Sequence, residues 1–595
     1  MTYVLIVLTL LLVLDTVRMR GRLSKLAVLP AASGTDVAGF RVIARPGVTV
    51  SDETRRAAIA YARAQGLGVV DLVPRDLPAI AAMSFAQLVE PATYRKDRFG
   101  PGRTADHALV VSTDVAERAR VEDPVDELAF VHLAIRLKQY GNADFAVAPA
   151  ERAVAPDIRQ RAGVLRALMG PSTGMALAVQ PIFWVLMGLG VWLQPLYGLI
   201  TLGVWHAQPI LSVAGTKLRS RDLLVATLLR APIELYLLLR TGFGSTPASQ
   251  DLAAKAKPVY DELIAGGTAR FFEPRRETCP VCASKDLTVF SRAADMFQHK
   301  PGRFTLETCS ACGHIFQNPR LSLAGLDYYY KDFYDGLGEA ALEFIFGFGA
   351  EPYHQRARMV RDNAKTPPAR WLDVGGGHGH FACAARDDLP TTQFDGLDLS
   401  ESIDEAKRRG WIQEAYRGLF PEIAPTIAGT YDAVSMSHYL EHTLDPRQEI
   451  AAAHTALAPG GSLMIEVPDP EFRLGRMLGR LWLPWFQPQH LNLLSVKNLE
   501  RLLREAGFEP VEWHRGKAHQ RVDLLFAAWL LLDRIAPSTK LPWRWRGGGA
   551  RVFRGVVWTV GSPLIVLGLL GDRVLDPFFS RAKISNTYRV VARRA

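Results

Sequence analysis

The sequence predicts an α/β protein whose sheets lie in two separate stretches, with membrane-type helices between them. Three observations predict it. Residues 370–386 read as a short buried strand, a turn with glycine at 375, 377 and 379, and the start of a helix. Strand-like and helix-like stretches alternate over residues 38–150 and again beyond 370, the pattern of sheets built largely from parallel strands. Residues 167–216 contain no Asp, Glu, Lys or Arg, which is too long for one membrane span and suits two of about 20 residues.

At 595 residues the chain exceeds a single core and suggests three or more units. A net charge of +10 suits nucleic acid or an anionic membrane, and 48% apolar residues with long uncharged runs favour the membrane. Four of the five cysteines stand in two Cys-x-x-Cys pairs. That is metal spacing in a reducing compartment, not a secreted disulfide framework.

Residues 1–26 read as an N-terminal membrane anchor. An apolar run at 3–14 is followed by Asp15 and then by Arg18, Arg20, Arg22 and Lys25. A secretory signal carries its positive charge before the apolar run, so this one reads as uncleaved, with its C-terminal side in the cytoplasm. The run is short of the roughly 20 residues a span wants, which leaves an interfacial helix or a frayed, tilted span open. Residues 27–166 read as a small soluble α/β domain. Strands are predicted at 39–44, 67–73, 108–112 and 144–148 in a mostly parallel sheet, with helices at 52–64, 77–89 and 125–138. His107 and His132 are isolated there and read as structural.

Residues 167–216 read as a transmembrane hairpin with spans at 174–193 and 196–214, broken at Gln194-Pro195. Arg159, Arg161 and Arg166 precede the pair and Lys217, Arg219 and Arg221 follow it, which places both ends in the cytoplasm. Gly188 and Gly190 would let the two helices approach closely. Within 217–270, residues 222–240 read as an amphipathic helix on the cytoplasmic surface and 241–250 as the linker out.

Cys279, Cys282, Cys309 and Cys312 form two knuckles separated by 26 residues, a four-cysteine zinc ribbon over 271–330. Four thiolates close a tetrahedral site, so the Zn2+ is expected to be structural and to stabilise a segment with little core of its own. Residues 331–595 hold the glycine turn. A nicotinamide fingerprint G-x-G-x-x-G counted from Gly375 needs glycine at 380, where His380 stands. The spacing present is D-x-G-x-G-x-G, from Asp373 through Gly375, Gly377 and Gly379. A strand, glycine turn and helix start bring backbone N–H groups against a ligand.

That turn resembles motif I of the class I S-adenosylmethionine-dependent methyltransferases. The resemblance implies a Rossmann-like seven-stranded domain with S-adenosyl-L-methionine as cofactor. It implies that the glycines make room for the cofactor's methionine part and that Asp373 sits beneath it. Asp398 ends the predicted strand at 392–398, nineteen positions after Gly379, about the interval at which a carboxylate grips ribose hydroxyls. N-capping of the helix at 401–409 is its other reading. The turn Gly418, Leu419, Phe420 resembles the one that contacts adenine. The order of strands at 431–436, 462–467, 509–513 and 587–592 and the helix at 496–506 follows the same family. With the ribbon and the 326–334 motif before it, the chain resembles bacterial methyltransferases of polysaccharide, deoxysugar and secondary-metabolite pathways over 271–520 and 584–595.

Between the last two strands lies an insert at 521–583, with uncharged runs at 524–532 and 555–571 around Trp543-Arg-Trp-Arg546. It reads as a re-entrant or surface-lying helical hairpin, because neither run is long enough to span comfortably, or else as a lid or dimer surface. Trp482, Trp485 and Phe486 would extend the same face beside the substrate entrance. Transfer needs an aligned acceptor and, for a hydroxyl, a base. His438, His442 and His490 are the candidates, with Glu441 expected to orient His442. Cys383 reads as packing. The expected protein is a methyltransferase of the bacterial inner membrane with its catalytic domain in the cytoplasm. Its expected partners are membrane lipids, a lipid-linked or amphipathic small-molecule acceptor, and other membrane-bound biosynthetic enzymes. A non-catalytic scaffold and a nucleic-acid methyltransferase using the ribbon are the alternatives. No Asn/Asp-Pro-Pro-Tyr motif stands after the fourth strand, so no nucleic-acid partner is expected.

Overall fold

The computed structural model describes residues 1–31, 37–96, 102–154, 161–169, 172–243, 247–331, 350–516, 521–538, 541–544 and 548–595. Arg159, the end of the 326–334 motif, and Trp545 with Arg546 fall outside them. The chain divides into two compact units, Met1–Gly244 and Ser245–Ala595.

The first unit holds a five-stranded sheet of β1 (Ala27–Val28), β2 (Phe40–Ala44), β3 (Val69–Pro74), β4 (Ala108–Ser112) and β5 (Ala143–Ala148), in the order β1-β5-β3-β4-β2. Ser51 caps the helix Asp52–Gln65 and Gly66, at φ 62°, ends it. Asp126 caps Glu127–Leu137 in the same way. The predicted elements all form, but the sheet is mixed rather than mostly parallel. β3 runs parallel to β5 and antiparallel to β4, and β4 runs antiparallel to β2. Two helices, Ala79–Leu88 and Pro91–Tyr94, link β3 to β4. An even number of crossings returns the chain in the opposite sense, which alternation of element types does not reveal. His107 is buried beside Glu151 at 3.5 Å, as a structural residue would be.

Three further helices of this unit are apolar. Ser172–Leu193 and Pro195–Val213 break at Gln194, as read from the sequence. Thr2–Ser24 is longer than the 3–14 run suggested, and at 23 residues it is long enough to cross a membrane. The run was underestimated because Thr16 and Met19 bury on the same helix beyond Asp15. Gln208 donates to the Leu12 carbonyl and the Thr16 hydroxyl, both at 3.0 Å, and the Thr9 and Thr201 hydroxyls lie 2.8 Å apart. Such polar seams satisfy side chains that lipid cannot. Gly198 is the close-packing glycine of the hairpin, since a Cβ there would lie 2.5 Å from Val191 N, whereas Gly188 meets nothing. Gly190 stands at that same approach, its carbonyl carbon 2.6 Å from a Cβ at Gly198, and also receives Leu5 of the first helix. The single surface helix expected at 222–240 is two, Leu223–Leu228 and Arg230–Phe243, and the expected linker already contains the start of another, Pro247–Ala265.

The second unit opens with that helix and then β6 (Leu287–Ala293), β7 (Phe304–Cys309) and β8 (Ile315–Gln317), an antiparallel ribbon. The main sheet follows: β9 (Arg370–Val374), β10 (Gln393–Asp398), β11 (Ala415–Arg417), β12 (Tyr431–Ser437) and β13 (Leu457–Pro468). A two-residue β14 (Asn492–Leu493) leaves this domain to become the fourth strand of the ribbon sheet, pairing with β8. β15 (Phe508–Arg515) and β16 (Thr587–Arg594) complete a seven-stranded sheet in the order β11-β10-β9-β12-β13-β16-β15. Only β16 runs against its neighbours. The reversal of order between β9 and β12 creates a crevice at their C-terminal ends, where doubly wound sheets bind ligands.

The insert between β15 and β16 is a helical hairpin, Asp523–Ile535 and Gly548–Arg581. The second helix has 34 residues and is long and apolar enough to cross a membrane, more than the expectation that neither run spans comfortably allowed. Helix continues past the uncharged run on both sides because Arg554 pairs with Asp533 and Asp572 accepts from the Leu524 and Leu525 amides. Trp482, Trp485 and Phe486 are buried rather than displayed on a membrane face. The Trp482 indole N–H donates to Asp523, at the start of the hairpin, at 2.9 Å.

Candidate active site

β9 carries Asp373 to the crevice, and β12 sets Ser435 opposite it. The Trp371 indole N–H donates to Ser435 Oγ at 2.8 Å, and the Ser435 hydroxyl donates to Asp373 Oδ1 at 2.6 Å. Burial holds the Asp373 carboxyl up, at about 6, against the pull of Ser435 and Arg356.

Gly375, Gly377 and Gly379 all have positive φ, 74°, 49° and 75°. A Cβ at Gly375 would lie 2.7 Å from the Tyr439 ring and one at Gly379 2.8 Å from Ala406 Cβ, whereas one at Gly377 meets nothing within 4 Å. The expected display of turn amides is different in detail. The Gly375 and Gly376 amides donate to the Leu397 carbonyl at 2.8 and 3.2 Å, and the Gly377 amide donates to Asp398 Oδ2 at 3.0 Å. These amides pin the turn to β10, so the glycines contribute room rather than free donors. Asp398 also accepts from the Ser400 amide at 2.9 Å. Each of its oxygens therefore keeps lone pairs for hydroxyl donors. The N-cap of the next helix is Glu401, so the capping reading of Asp398 falls away. Gly418 donates to the Asp398 carbonyl at 3.2 Å, which brings the 418–420 turn beside the same edge. There Leu419 is exposed while the Phe420 side chain lies in the hydrophobic core, so only Leu419 of that pair offers a surface.

The three histidines converge just past β12. His438, at φ 51°, donates from Nδ1 to Glu441 at 3.1 Å and from Nε2 to Glu466 at 3.2 Å. Burial alone would lower its pKa, but the two carboxylates outweigh burial and hold it at about 9. An imidazolium with both nitrogens donated has no lone pair, so His438 is not a base. Glu466 is in turn paired with buried Arg356 and Arg589. Glu441 thus orients His438, not His442, because the 3-10 turn Leu440–His442 puts its carboxylate back toward position 438. His442 Nδ1 contacts the Tyr330 hydroxyl at 2.8 Å and the Gln489 carbonyl at 3.1 Å. His490 Nδ1 donates to the Pro484 carbonyl at 2.7 Å, and its ring stands edge-on to that of His442, 4.6 Å between centroids. Burial lowers the pKa of His442, and that of His490 to about 3, so both are neutral near pH 7. Tyr330 stands in the 326–334 motif without a stated role, and Ser435, Tyr439 and Glu466 had no sequence signal of their own; each enters the site through the fold.

The Cys279 and Cys312 sulfurs lie 3.6 Å apart and those of Cys282 and Cys309 3.5 Å apart, with all four sulfurs within 4.8 Å of one another. Four sulfurs about 2.3 Å from one tetrahedral ion would be separated by roughly 3.8 Å. The geometry fits such an ion and not a disulfide. The Asn498 side chain donates to the Cys312 carbonyl at 3.2 Å, tying this group to the helix Val496–Glu505 of the catalytic domain. Cys383 lies half-buried after the glycine turn, away from this group.

Residues 350–512 match the family model described as a methyltransferase domain. A malonyl-[acyl-carrier protein] O-methyltransferase of Alcanivorax borkumensis is 28% identical over 186 residues, 29% of this chain and 62% of that protein. A ubiquinone biosynthesis O-methyltransferase of Aromatoleum aromaticum is 26% identical over 177 residues, 27% of this chain and 75% of that one. The solved structure of a SAM-dependent methyltransferase from Archaeoglobus fulgidus aligns with 42% of this chain and 98% of its own, at 17% identity and a TM-score of 0.28. The chain spans less than two thirds of the first relative, at 62% of its length. Strand order, glycine turn and family match together define a class I S-adenosylmethionine-dependent methyltransferase domain, matched by the family model over residues 350–512 and completed by β16 at Thr587–Arg594.

Proposed function

We propose that the protein is a membrane-tethered methyltransferase that moves a methyl group from S-adenosylmethionine to an oxygen of a lipid-linked or amphipathic acceptor. One observation carries the lipid part of this reading. An aromatic row leads from the candidate site to the long apolar helix: His490 to Phe486 at 5.2 Å, Phe486 to Phe297 at 5.7 Å, Phe297 to Trp529 at 5.5 Å, and Trp529 to Trp558 at 6.2 Å between centroids. Trp558 belongs to Gly548–Arg581, so the row joins the histidines to a membrane-type segment within one unit. The choice of oxygen follows the names of the two relatives.

Bound S-adenosylmethionine supplies an electrophilic methyl on its sulfonium. Asp398 would accept from the ribose hydroxyls, and the space beside Gly377 would take the methionine part. Leu419 would cover the adenine. His442 or His490, neutral with its Nδ1 engaged, would take the acceptor proton at Nε2. The His438 imidazolium would hold Glu441 and Glu466 in place. The four cysteines would hold a structural Zn2+ that fixes the ribbon to the catalytic domain. The helices Thr2–Ser24, Pro195–Val213 and Gly548–Arg581 would anchor the protein in the bacterial inner membrane with the site in the cytoplasm. Neighbouring membrane-bound enzymes would then pass on the acceptor.

The test is labelled-methyl transfer from S-adenosylmethionine into a total lipid extract, with calorimetry of cofactor binding alongside. Label in the lipid phase and at least about tenfold weaker cofactor binding in Asp398→Ala are expected. Failure of both wild type and Asp398→Ala to bind would favour the scaffold reading. Label appearing only in added RNA or DNA would favour the nucleic-acid one.

A further inference from the structure

We infer a second metal site, for a divalent first-row transition ion, formed by Glu441, His442 and His490. One carboxylate oxygen of Glu441 and one ring nitrogen from each histidine lie within 4.8 Å of one another. Ligands about 2.0–2.1 Å from a tetrahedral ion stand roughly 3.3 Å apart, so modest closure brings the three onto one ion.

Two independent features point to a cation. Glu441 is 1% exposed, and while its Oε1 accepts from His438, its Oε2 is buried and meets no hydrogen-bond donor among the described residues. An ionised carboxylate oxygen left without a donor in the interior is costly, and a cation removes that cost. The second feature is the tautomer of each histidine. Carbonyl oxygens only accept, so the bond to Pro484 places the proton on Nδ1 of His490, and the Gln489 carbonyl favours the same tautomer at His442, where the Tyr330 hydroxyl, 2.8 Å from Nδ1, can itself donate to Gln489 at 3.3 Å. Nε2 of each then carries a lone pair. Metal-binding imidazoles commonly show this arrangement, with the far N–H given to a carbonyl that fixes the ring. The Leu491 amide, which donates to the Glu441 carbonyl at 2.7 Å, locks the two segments that bring the ligands together.

A set of two imidazoles and one carboxylate suits zinc, iron(II), cobalt(II) or manganese(II), and leaves at least one position open for an oxygen donor. With the ion bound, both Nε2 lone pairs are engaged and the ion takes over the part given above to a histidine base: an acceptor oxygen in the open position would lose its proton more easily, the proton passing to water, before the oxygen bonds the methyl carbon and the carbon–sulfur bond breaks. That role rests on the methyl-transfer reading above; binding of the ion does not.

The probe is Co2+ added to the full chain in detergent with its four-cysteine group already loaded with zinc. One further cobalt per chain is expected, with weak visible bands and without the near-ultraviolet thiolate band that cobalt in the cysteine group would give. Glu441→Gln and His490→Gln should each weaken it at least about tenfold. S-adenosylmethionine binding by the same variants, measured separately, verifies that they are folded. A zinc-loaded wild type that takes up no second cobalt at millimolar concentration overturns the site. So does a folded Glu441→Gln that binds cobalt as wild type does. Either result, with cofactor binding intact, leaves the methyltransferase reading standing.

Discussion

At Gly377 a side chain would meet no atom of the described residues within 4 Å, yet the backbone sits at φ 49°. Gly377→Ala should therefore cost the fold only about 1 kcal/mol of left-handed strain. Cofactor binding should fall at least about tenfold if the space belongs to the methionine part. Melting and calorimetry on one sample separate the two effects. His438 and His490 predict opposite pH dependences. The His438 pKa of about 9 lies above its unfolded value of about 6.5, so its contribution is complete below 6.5 and disappears as pH rises through 9. His490, at about 3, contributes above pH 6.5 and loses that contribution as pH falls toward 3. Denaturant midpoints should fall on both sides of neutrality, and His438→Gln should flatten the alkaline limb alone. The placement of Asp373, the glycines and Asp398 at strand ends was legible in the sequence because those strands are contiguous. The partner of Glu441 was not, since one 3-10 turn decides whether its carboxylate meets position 438 or 442.

The hairpin Asp523–Ile535 with Gly548–Arg581 packs through small residues. A Cβ at Gly568 would lie 2.8 Å from the Leu524 carbonyl oxygen and 2.9 Å from Leu525 Cα, and backbone cannot yield as a side-chain tip can. Gly568→Leu should open the hairpin at a cost of about 1–3 kcal/mol, read as a lower melting temperature in detergent. Gly549→Leu, where no atom of the described residues lies within 4 Å, should leave it unchanged. The length of this helix was hidden in the sequence. Its charged flanks, Arg554 and Asp572, look like helix ends until the first helix supplies their partners.

Across the whole molecule, the order of elements was readable because each strand and helix is locally periodic. How units share elements was not. β14 is two residues long, so its transfer to the ribbon sheet left no pattern to find. The mixed direction of the first sheet was hidden for a similar reason, because direction depends on how many helices a connection holds. β16 has a consequence of its own. It comes after the greasy excursion of 521–583 and slots between β13 and β15, where Arg589 grips Glu466 and Glu466 grips His438. The catalytic sheet is therefore closed by a strand that follows the apolar hairpin. A tug on the hairpin would reach the histidines along a taut central thread rather than a frayed hem.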